Sequence, residues 1–123
     1  MPTSLTIALV DRPGTLADAS DALGRAGINI EGACGYVCDG QGTYHVLVED
    51  AERARRSLID AGFEIVDERR VYVGPIDDRP GAAAALLRRI AEAGLNVDLM
   101  YLTVDGRIVV GGADVREIAG VLA

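Results

Sequence analysis

The chain contains no lysine, one histidine, two cysteines and no long apolar run. Its basic residues are all arginines, and 19 acidic residues outnumber them to give a net charge of −7. Nucleic acid is therefore a poor partner, because phosphate binding requires clustered basic side chains. No apolar run approaches the roughly 18 residues needed to cross a bilayer, and no basic segment precedes the first apolar stretch as in a signal peptide. We expect a cytoplasmic protein with neither a nucleic-acid nor a membrane partner.

The scarcity of cysteine and histidine also limits the metal-binding and catalytic chemistry that the chain could support. Cys34 and Cys38 stand four residues apart without a second pair, which is a weak metal signal. We predict that they are small buried thiols, and we expect no metal and no cofactor. His45 lies alone on a predicted strand, and no phosphate-binding or dinucleotide motif is present. The sequence therefore predicts no catalytic residues and a protein that is not an enzyme.

A repeated phrase is the most informative feature that is present. Asp-Arg-Pro-Gly occurs at 11–14 and again at 78–81, each time between a strand-like and a helix-like run. The first helix-like run ends in Ala-Gly-Ile-Asn-Ile at 26–30 and the second in Ala-Gly-Leu-Asn-Val at 93–97, at the same spacing. An apolar fraction of 50% is ample for a folded core. The chain therefore reads as a duplicated module.

Hydrophobic periodicity places both copies in one architecture. The first copy reads β-α-β-β-α-β, with a second strand over 28–38, a hairpin connection over 39–42 and a charged break at 67–70. This order predicts an α+β, ferredoxin-like fold in tandem, with antiparallel sheets and the helices on one face. We place the first domain at residues 1–70 and the second at residues 71–123, the latter lacking its final strand.

The repeated motifs resemble those of ACT domains, which are small modules that bind amino acids and regulate metabolic enzymes. Asp-x-Pro-Gly after strand one and Ala-Gly-[Ile/Leu]-Asn-[Ile/Val] before strand two carry the resemblance in both copies. It covers nearly the whole chain as two tandem units. The resemblance implies a regulatory protein that senses a free amino acid at interfaces between units and signals through association with a regulated enzyme.

The resemblance also implies which residues form the sites. In the family, the loop after strand one faces the start of strand two in a neighbouring unit. Carried over to this sequence, the loop and facing positions in the first copy are Asp11, Pro13, Gly14, Thr15, Leu16, Asn29 and Ile30. Those in the second copy are Asp78, Pro80, Gly81, Ala82, Ala83, Asn96 and Val97.

The chemistry of these residues fits a small zwitterion. Backbone N–H groups at the helix start that follows Gly14 or Gly81 suit a carboxylate. Asp11 or Asp78 suits an ammonium group. An asparagine amide both donates and accepts, so it serves either end of the ligand.

Simpler interpretations of the same residues stay open. Pro-Gly is common in turns for backbone reasons alone, Asp11 and Asp78 are also good helix caps, and Asn29 and Asn96 could merely lead the chain out of a helix. The alternative function is a structural or oligomerisation module with degenerate sites and no small ligand. The alanine run at 82–85 favours that alternative for the second copy, because it removes side-chain contacts.

The sequence further predicts a homodimer. The strand over 95–103 is apolar at both parities, with Leu99 and Tyr101 alternating with Met100 and Leu102. A sheet face without helices is usually more polar, so this pattern indicates a second covered face. A three-stranded sheet also leaves an open edge. Because a higher assembly would cover the face equally well, light scattering at micromolar concentration should give at least twice the chain mass of 12.9 kDa, and a monomer mass would contradict the prediction.

Overall fold

The computed structural model describes all residues, Met1–Ala123, and contains two compact units. The first unit comprises residues 2–69, and the second comprises residues 70–123 together with Met1. Both combine an antiparallel sheet with two helices, which confirms the predicted α+β, ferredoxin-like tandem fold.

The first unit has the full order of six elements. They are β1 (Thr3–Val10), α1 (Thr15–Arg25), β2 (Gly32–Cys38), β3 (Gln41–Val48), α2 (Ala51–Asp60) and β4 (Glu64–Arg70). The four strands lie in the order β2-β3-β1-β4, with β3 antiparallel to both β1 and β2. This is the strand order of the split β-α-β-β-α-β unit. Strand β2 begins at Gly32, later than the sequence predicts, so residues 28–31 form an irregular approach to it.

The core of the first unit lies between the sheet and its helices. Leu5 and Ile7 of β1 face the same side as their partners Val46 and Tyr44 of β3. Leu23 of α1 packs in this cluster and is fully buried. The other buried members are Leu9, Ala19, Ala22, Ile28, Val48, Ala54 and Leu58. Residues of α1 and α2 thus share one apolar cluster with one face of the sheet, which places both helices on that face.

The hairpin between β2 and β3 is shorter than the sequence predicts. Only Asp39 and Gly40 lie outside the strands, and both have positive φ, 51° and 74°. Two residues in this conformation form the type I′ turn, whose twist matches that of the strands on either side. The two-residue turn therefore fixes the register of β2 with β3, in which Cys38 is opposite Gln41.

The charged segment 67–70 belongs to β4 and does not interrupt it, so the predicted break is wrong. Strand β4 lies at the edge of the sheet, and charged side chains are tolerated there because they face water. Glu68 also pairs with Arg55 of α2, with Arg55 Nε 3.4 Å from Glu68 Oε2. A run of charged residues is therefore not sufficient evidence of a loop in this chain.

The second unit repeats the first five elements. They are β5 (Tyr72–Pro75), α3 (Ala82–Glu92), β6 (Leu99–Leu102), β7 (Arg107–Gly111) and α4 (Val115–Leu122). The strand order β5-β7-β6 corresponds to β1-β3-β2 of the first unit. Its fully buried core residues are Ile90 of α3, Ile108 and Val110 of β7, and Ile118 of α4.

A polar network closes the β6–β7 turn. Thr103 Oγ1 donates to Asp105 Oδ1 at 2.6 Å and accepts from the Arg107 amide at 2.8 Å. Arg107 Nε lies 2.9 Å from the same carboxylate. The hydrogen bond from Thr103, followed by that from Arg107, lowers the pKa of Asp105. The second hairpin is thus held by side chains, whereas the first is held by backbone conformation.

Two glycines of the first unit provide a matched test of this packing. A Cβ at Gly42 would lie 2.8 Å from the backbone oxygen of Leu9 across the β1–β3 pair, whereas one at Gly24 of α1 would meet nothing within 4 Å. Gly42→Ala should therefore lower the free energy of unfolding by about 1–3 kcal/mol, the usual cost of overpacking. Gly24→Ala should raise it by up to about 1 kcal/mol, because alanine favours helix. Urea denaturation measures both, and equal effects of the two variants would contradict this account.

Candidate functional site

Both copies of Asp-Arg-Pro-Gly form the same backbone turn. The Thr15 amide donates to the Arg12 carbonyl at 3.4 Å, and the Ala82 amide donates to the Arg79 carbonyl at 3.2 Å. Gly14 has φ 92° and ψ −9°, and Gly81 has φ 86° and ψ −8°. These are the values of the third residue in a type II turn, where glycine is preferred and proline is favoured just before it. The backbone geometry therefore accounts for Pro-Gly in both copies.

The same geometry does not account for the Asp-Arg that precedes it. Neither α1 nor α3 has a side-chain cap at its N-terminus, so the capping role considered for Asp11 and Asp78 is wrong. Helix α2 shows the contrast, since the Asp50 carboxylate accepts from the Arg53 amide at 3.1 Å. The first amides of α1 and α3 thus lack the side-chain acceptor that α2 has.

A cavity of about 440 Å³ lies against the first turn. Five residues predicted from the sequence line it together: Asp11, Pro13, Gly14, Thr15 and Leu16. Asp11 and Arg12 are the charged residues of its lining, and both are exposed. The cavity therefore has two opposite charges in its lining, next to the start of α1.

The far wall of this cavity was missed from the sequence. It consists of Gly35, Tyr36 and Val37 of β2. The sequence signal that could have identified this wall is the two-residue Asp39-Gly40 turn. Counting outward from that turn along both strands pairs Val37 with Gly42. Gly42 in turn pairs with Leu9 at the end of β1. Register therefore brings the last residues of β2 beside the turn that follows β1.

Asn29 and Ile30 do not line this cavity. They lie in the irregular segment before β2, where Asn29 is exposed and Ile30 packs against the first unit's core. Within its own unit, this segment is separate from the loop residues that the family pattern sets opposite it. A ligand contact from Asn29 or Ile30 stays a prediction.

The second turn is lined differently. A cavity of about 250 Å³ beside it includes Ala82, with Asp77 and Arg79 on its wall. Arg79 Nε lies 3.4 Å from Asp77 Oδ2, so the charge of this arginine is partly neutralised. The other predicted residues of this copy do not line the cavity: Asp78, Pro80, Gly81, Ala83, Asn96 and Val97. The carbonyl of Asn96 instead lies close to Gly112, where a Cβ would approach it to 2.4 Å.

A further cavity of about 570 Å³ lies on the other side of the first turn. Arg12, Asp18, Arg25 and Glu64 line it. It is the counterpart of the cavity beside the second turn, since Arg12 and Arg79 occupy the same motif position. The arginine of the motif therefore borders a groove in both units.

His45 is held by two hydrogen bonds on the sheet face opposite the core. Its Nδ1 lies 2.9 Å from Thr6 Oγ1, and its Nε2 lies 3.2 Å from the Tyr36 hydroxyl. Burial lowers the pKa of His45, with a further contribution from the positive charge of Arg69. Cys34 is directly opposite His45 on β2. Cys34 is only half-buried and Cys38 is exposed, so the prediction of two buried thiols is wrong for Cys38 and is met only in part by Cys34. The arrangement gives His45 a structural role in joining three strands.

No three side chains of the metal-ligating types come together. None of the four helices has the length and apolar composition that a membrane span requires.

Comparison with known proteins identifies related folds. A family model described as an ACT domain pair matches residues 3–118. A protein of Bacteroides thetaiotaomicron superimposes with a TM-score of 0.85, at 23% identity over 98% of this chain and 85% of that one. The ligand-free regulatory subunit of aspartate kinase from Thermus thermophilus gives 0.72, at 19% identity over 98% and 89%. The corresponding subunit from Thermus flavus gives 0.68, at 19% over 98% and 90%. No curated protein sequence matches significantly.

The lowered pKa of His45 predicts a pH dependence of stability. The folded protein binds this proton more weakly than the unfolded chain, whose histidine has a pKa of about 6.5. The contribution of neutral His45 to the free energy of unfolding is therefore fully present above pH 6.5. It is lost as the pH falls from there through the pKa that His45 has in the folded protein. The free energy of unfolding should drop between pH 7 and pH 5 in the wild type, and less so in His45→Gln. Subtracting the two curves removes the shared effect of carboxylates, and parallel curves would contradict the prediction.

Proposed function

This chain belongs to the ACT domain pair family, and from that membership we propose that it is a regulatory protein that binds a free amino acid or a similar small zwitterion. ACT domains are small-molecule-binding regulatory modules. The observation that carries the proposal is the first turn, where five predicted residues line one cavity. Its volume of about 440 Å³ is within the range of small-molecule pockets, roughly 300–1,000 Å³.

The turn offers a group for each end of an α-amino acid. The start of α1 has no side-chain cap, and amides at a helix N-terminus favour a carboxylate through their orientation and the helix dipole. The Asp11 carboxylate lines the same cavity, and we propose that it accepts from the ammonium group. Gly14 leaves the approach open, since a Cβ there would meet nothing within 4 Å.

The second turn has the same backbone and the same uncapped helix start. We propose it as a second site, formed by Asp78, Pro80, Gly81, Ala82 and Ala83. Asn29, Ile30, Asn96 and Val97 are the proposed facing residues, as the family pattern implies. Because Asp77 pairs with Arg79 beside this turn, we expect it to bind more weakly than the first.

We propose that the signal is passed by association and not by catalysis. The two Thermus proteins of the same fold are regulatory subunits, which supports a role as a regulator of an enzyme. His45 uses both ring nitrogens in hydrogen bonds within the sheet, so it is a poor candidate for acid–base chemistry. The proposed assembly is a cytoplasmic homodimer that contacts a regulated enzyme.

Isothermal titration with all twenty amino acids tests this proposal. At least one should bind the wild type, and Asp11→Asn should weaken it about 10- to 100-fold, since hydrogen bonds to charged groups contribute about 1.5–3 kcal/mol. The stability of the variant should change by less than about 0.5 kcal/mol, because Asp11 is exposed and caps nothing. Asp21→Asn is the matched control, because Asp21 is an exposed aspartate of α1 outside the cavity.

Two results would overturn the proposal. If no amino acid binds at millimolar concentration, the structural or oligomerisation module becomes the better account. If Asp21→Asn weakens binding as much as Asp11→Asn, the effect is one of overall charge and the site lies elsewhere.

A further inference from the structure

We infer that the cavity at the first turn selects an amino acid with an uncharged, apolar side chain. This inference rests on the proposed function and specifies its ligand class. It comes from the side chains around the cavity, whereas the proposed function comes from the backbone turn and Asp11.

Four large apolar side chains line this one cavity although they are exposed. Val10 is 68% exposed, Leu16 49%, Tyr36 49% and Val37 53%. None of them belongs to the core cluster of the unit. Single exposed apolar residues are common on protein surfaces, but a group of them around one concavity marks a binding surface. An apolar ligand group would remove this surface from water.

The charges of the cavity leave no partner for a charged ligand side chain. Asp11 and Arg12 are the charged residues of the lining, and they have opposite signs. In the proposed binding mode Asp11 accepts from the ammonium group and Arg12 joins the amides of α1 at the carboxylate, so the backbone of the ligand uses both charges. The rest of the lining, apart from Thr15 and Thr43, is apolar or glycine. A second carboxylate or ammonium on the ligand would be left without a counterion, which is costly where water is excluded.

Gly35 allows Leu16 to lie close against β2. A Cβ at this position would lie 3.3 Å from Leu16 Cδ2 and 3.6 Å from Tyr44 Cδ1. Any side chain here would press on Leu16. The absence of a side chain at Gly35 therefore lets Leu16 pack beside β2, where it forms part of the cavity wall.

The second unit shows that the fold does not require the apolar wall. It has the same turn, yet Asp77 stands where the first unit has Val10, and Ala83 stands where it has Leu16. Since the backbone of the turn is equivalent in both, the turn itself does not require Val10 or Leu16. These two members of the apolar wall are specific to the first unit.

A ligand series measures the selectivity directly. In isothermal titration, affinity should rise about fourfold with each methylene from alanine through valine to leucine, the factor expected for burial of that group. Valine should bind about tenfold more tightly than threonine, which has the same shape but a hydroxyl in place of one methyl. Leucine should likewise exceed asparagine, and aspartate and lysine should bind weakest.

Variants locate the selectivity in the wall. Leu16→Ala should weaken leucine binding about tenfold and leave alanine binding within twofold, because alanine does not reach the removed side chain. Val10→Asp, which copies the second unit, should weaken both valine and leucine. Leu102→Ala is the matched control, since Leu102 is 56% exposed and lies on β6 outside this cavity. It should leave both affinities unchanged.

The outcomes separate this inference from the proposed function. If a polar or charged amino acid binds most tightly and its binding depends on Asp11, the proposed function holds and this inference is wrong. If Leu16→Ala changes the oligomeric mass without changing any ligand affinity, the apolar wall is an interface between copies and the inference is also wrong. If no amino acid binds, the proposed function fails, and the inference fails with it.

Discussion

The antiparallel pairing of β1 with β3 is the constraint on which the rest of the first unit depends. It joins the two central strands of the sheet from Thr3 opposite Val48 to Val10 opposite Gln41. The strands approach so closely at Leu9 and Gly42 that only glycine fits there. Because β3 begins at Gln41, the pairing ends at Val10, and the type II turn and α1 follow directly from there. The cavity is a consequence of that pairing. One of its walls is the loop that follows β1, and the other is the end of β2, the strand that precedes β3.

The motif at the turn separates into two parts with different physical origins. Pro-Gly is required by the backbone, because a type II turn needs a positive φ at its third residue. Asp11 and Arg12 are exposed and are not needed for the turn or the helix cap. The second unit repeats both parts but pairs its arginine with Asp77. The repeat thus preserves a scaffold while the electrostatic surroundings of the two copies differ.

The fold could be predicted from the sequence largely because its signals are local. The periodicity of α1 and the repeated Pro-Gly turns identify the element order and the duplication without any long-range information. The errors occurred where the outcome depends on neighbouring strands. Strand β2 begins late, and β4 continues through a charged segment because it lies at the edge of the sheet, with Glu68 paired to Arg55. Neither property is encoded in the segment itself.

The candidate site, like the fold, could be predicted where its residues are local in sequence and not where they depend on strand pairing. The loop residues 11–16 are contiguous, so a motif identifies them together. Tyr36 and Val37 join them only through the register of two strand pairs, which no local pattern reveals. Asn29 and Ile30 follow the family pattern but lie outside this cavity. Their role depends on contacts beyond those of the loop itself.

The exposed positions around the turn have an evolutionary consequence. Val10 and Leu16 lie outside the core, so their replacement costs the fold little, and the turn beside them is maintained by Pro13 and Gly14. Selection can therefore alter the side chains around the cavity without first acquiring stabilising mutations elsewhere. The two halves of this chain already differ at both positions, Val10 against Asp77 and Leu16 against Ala83. A duplication of this kind provides two surfaces that can diverge independently on one shared backbone.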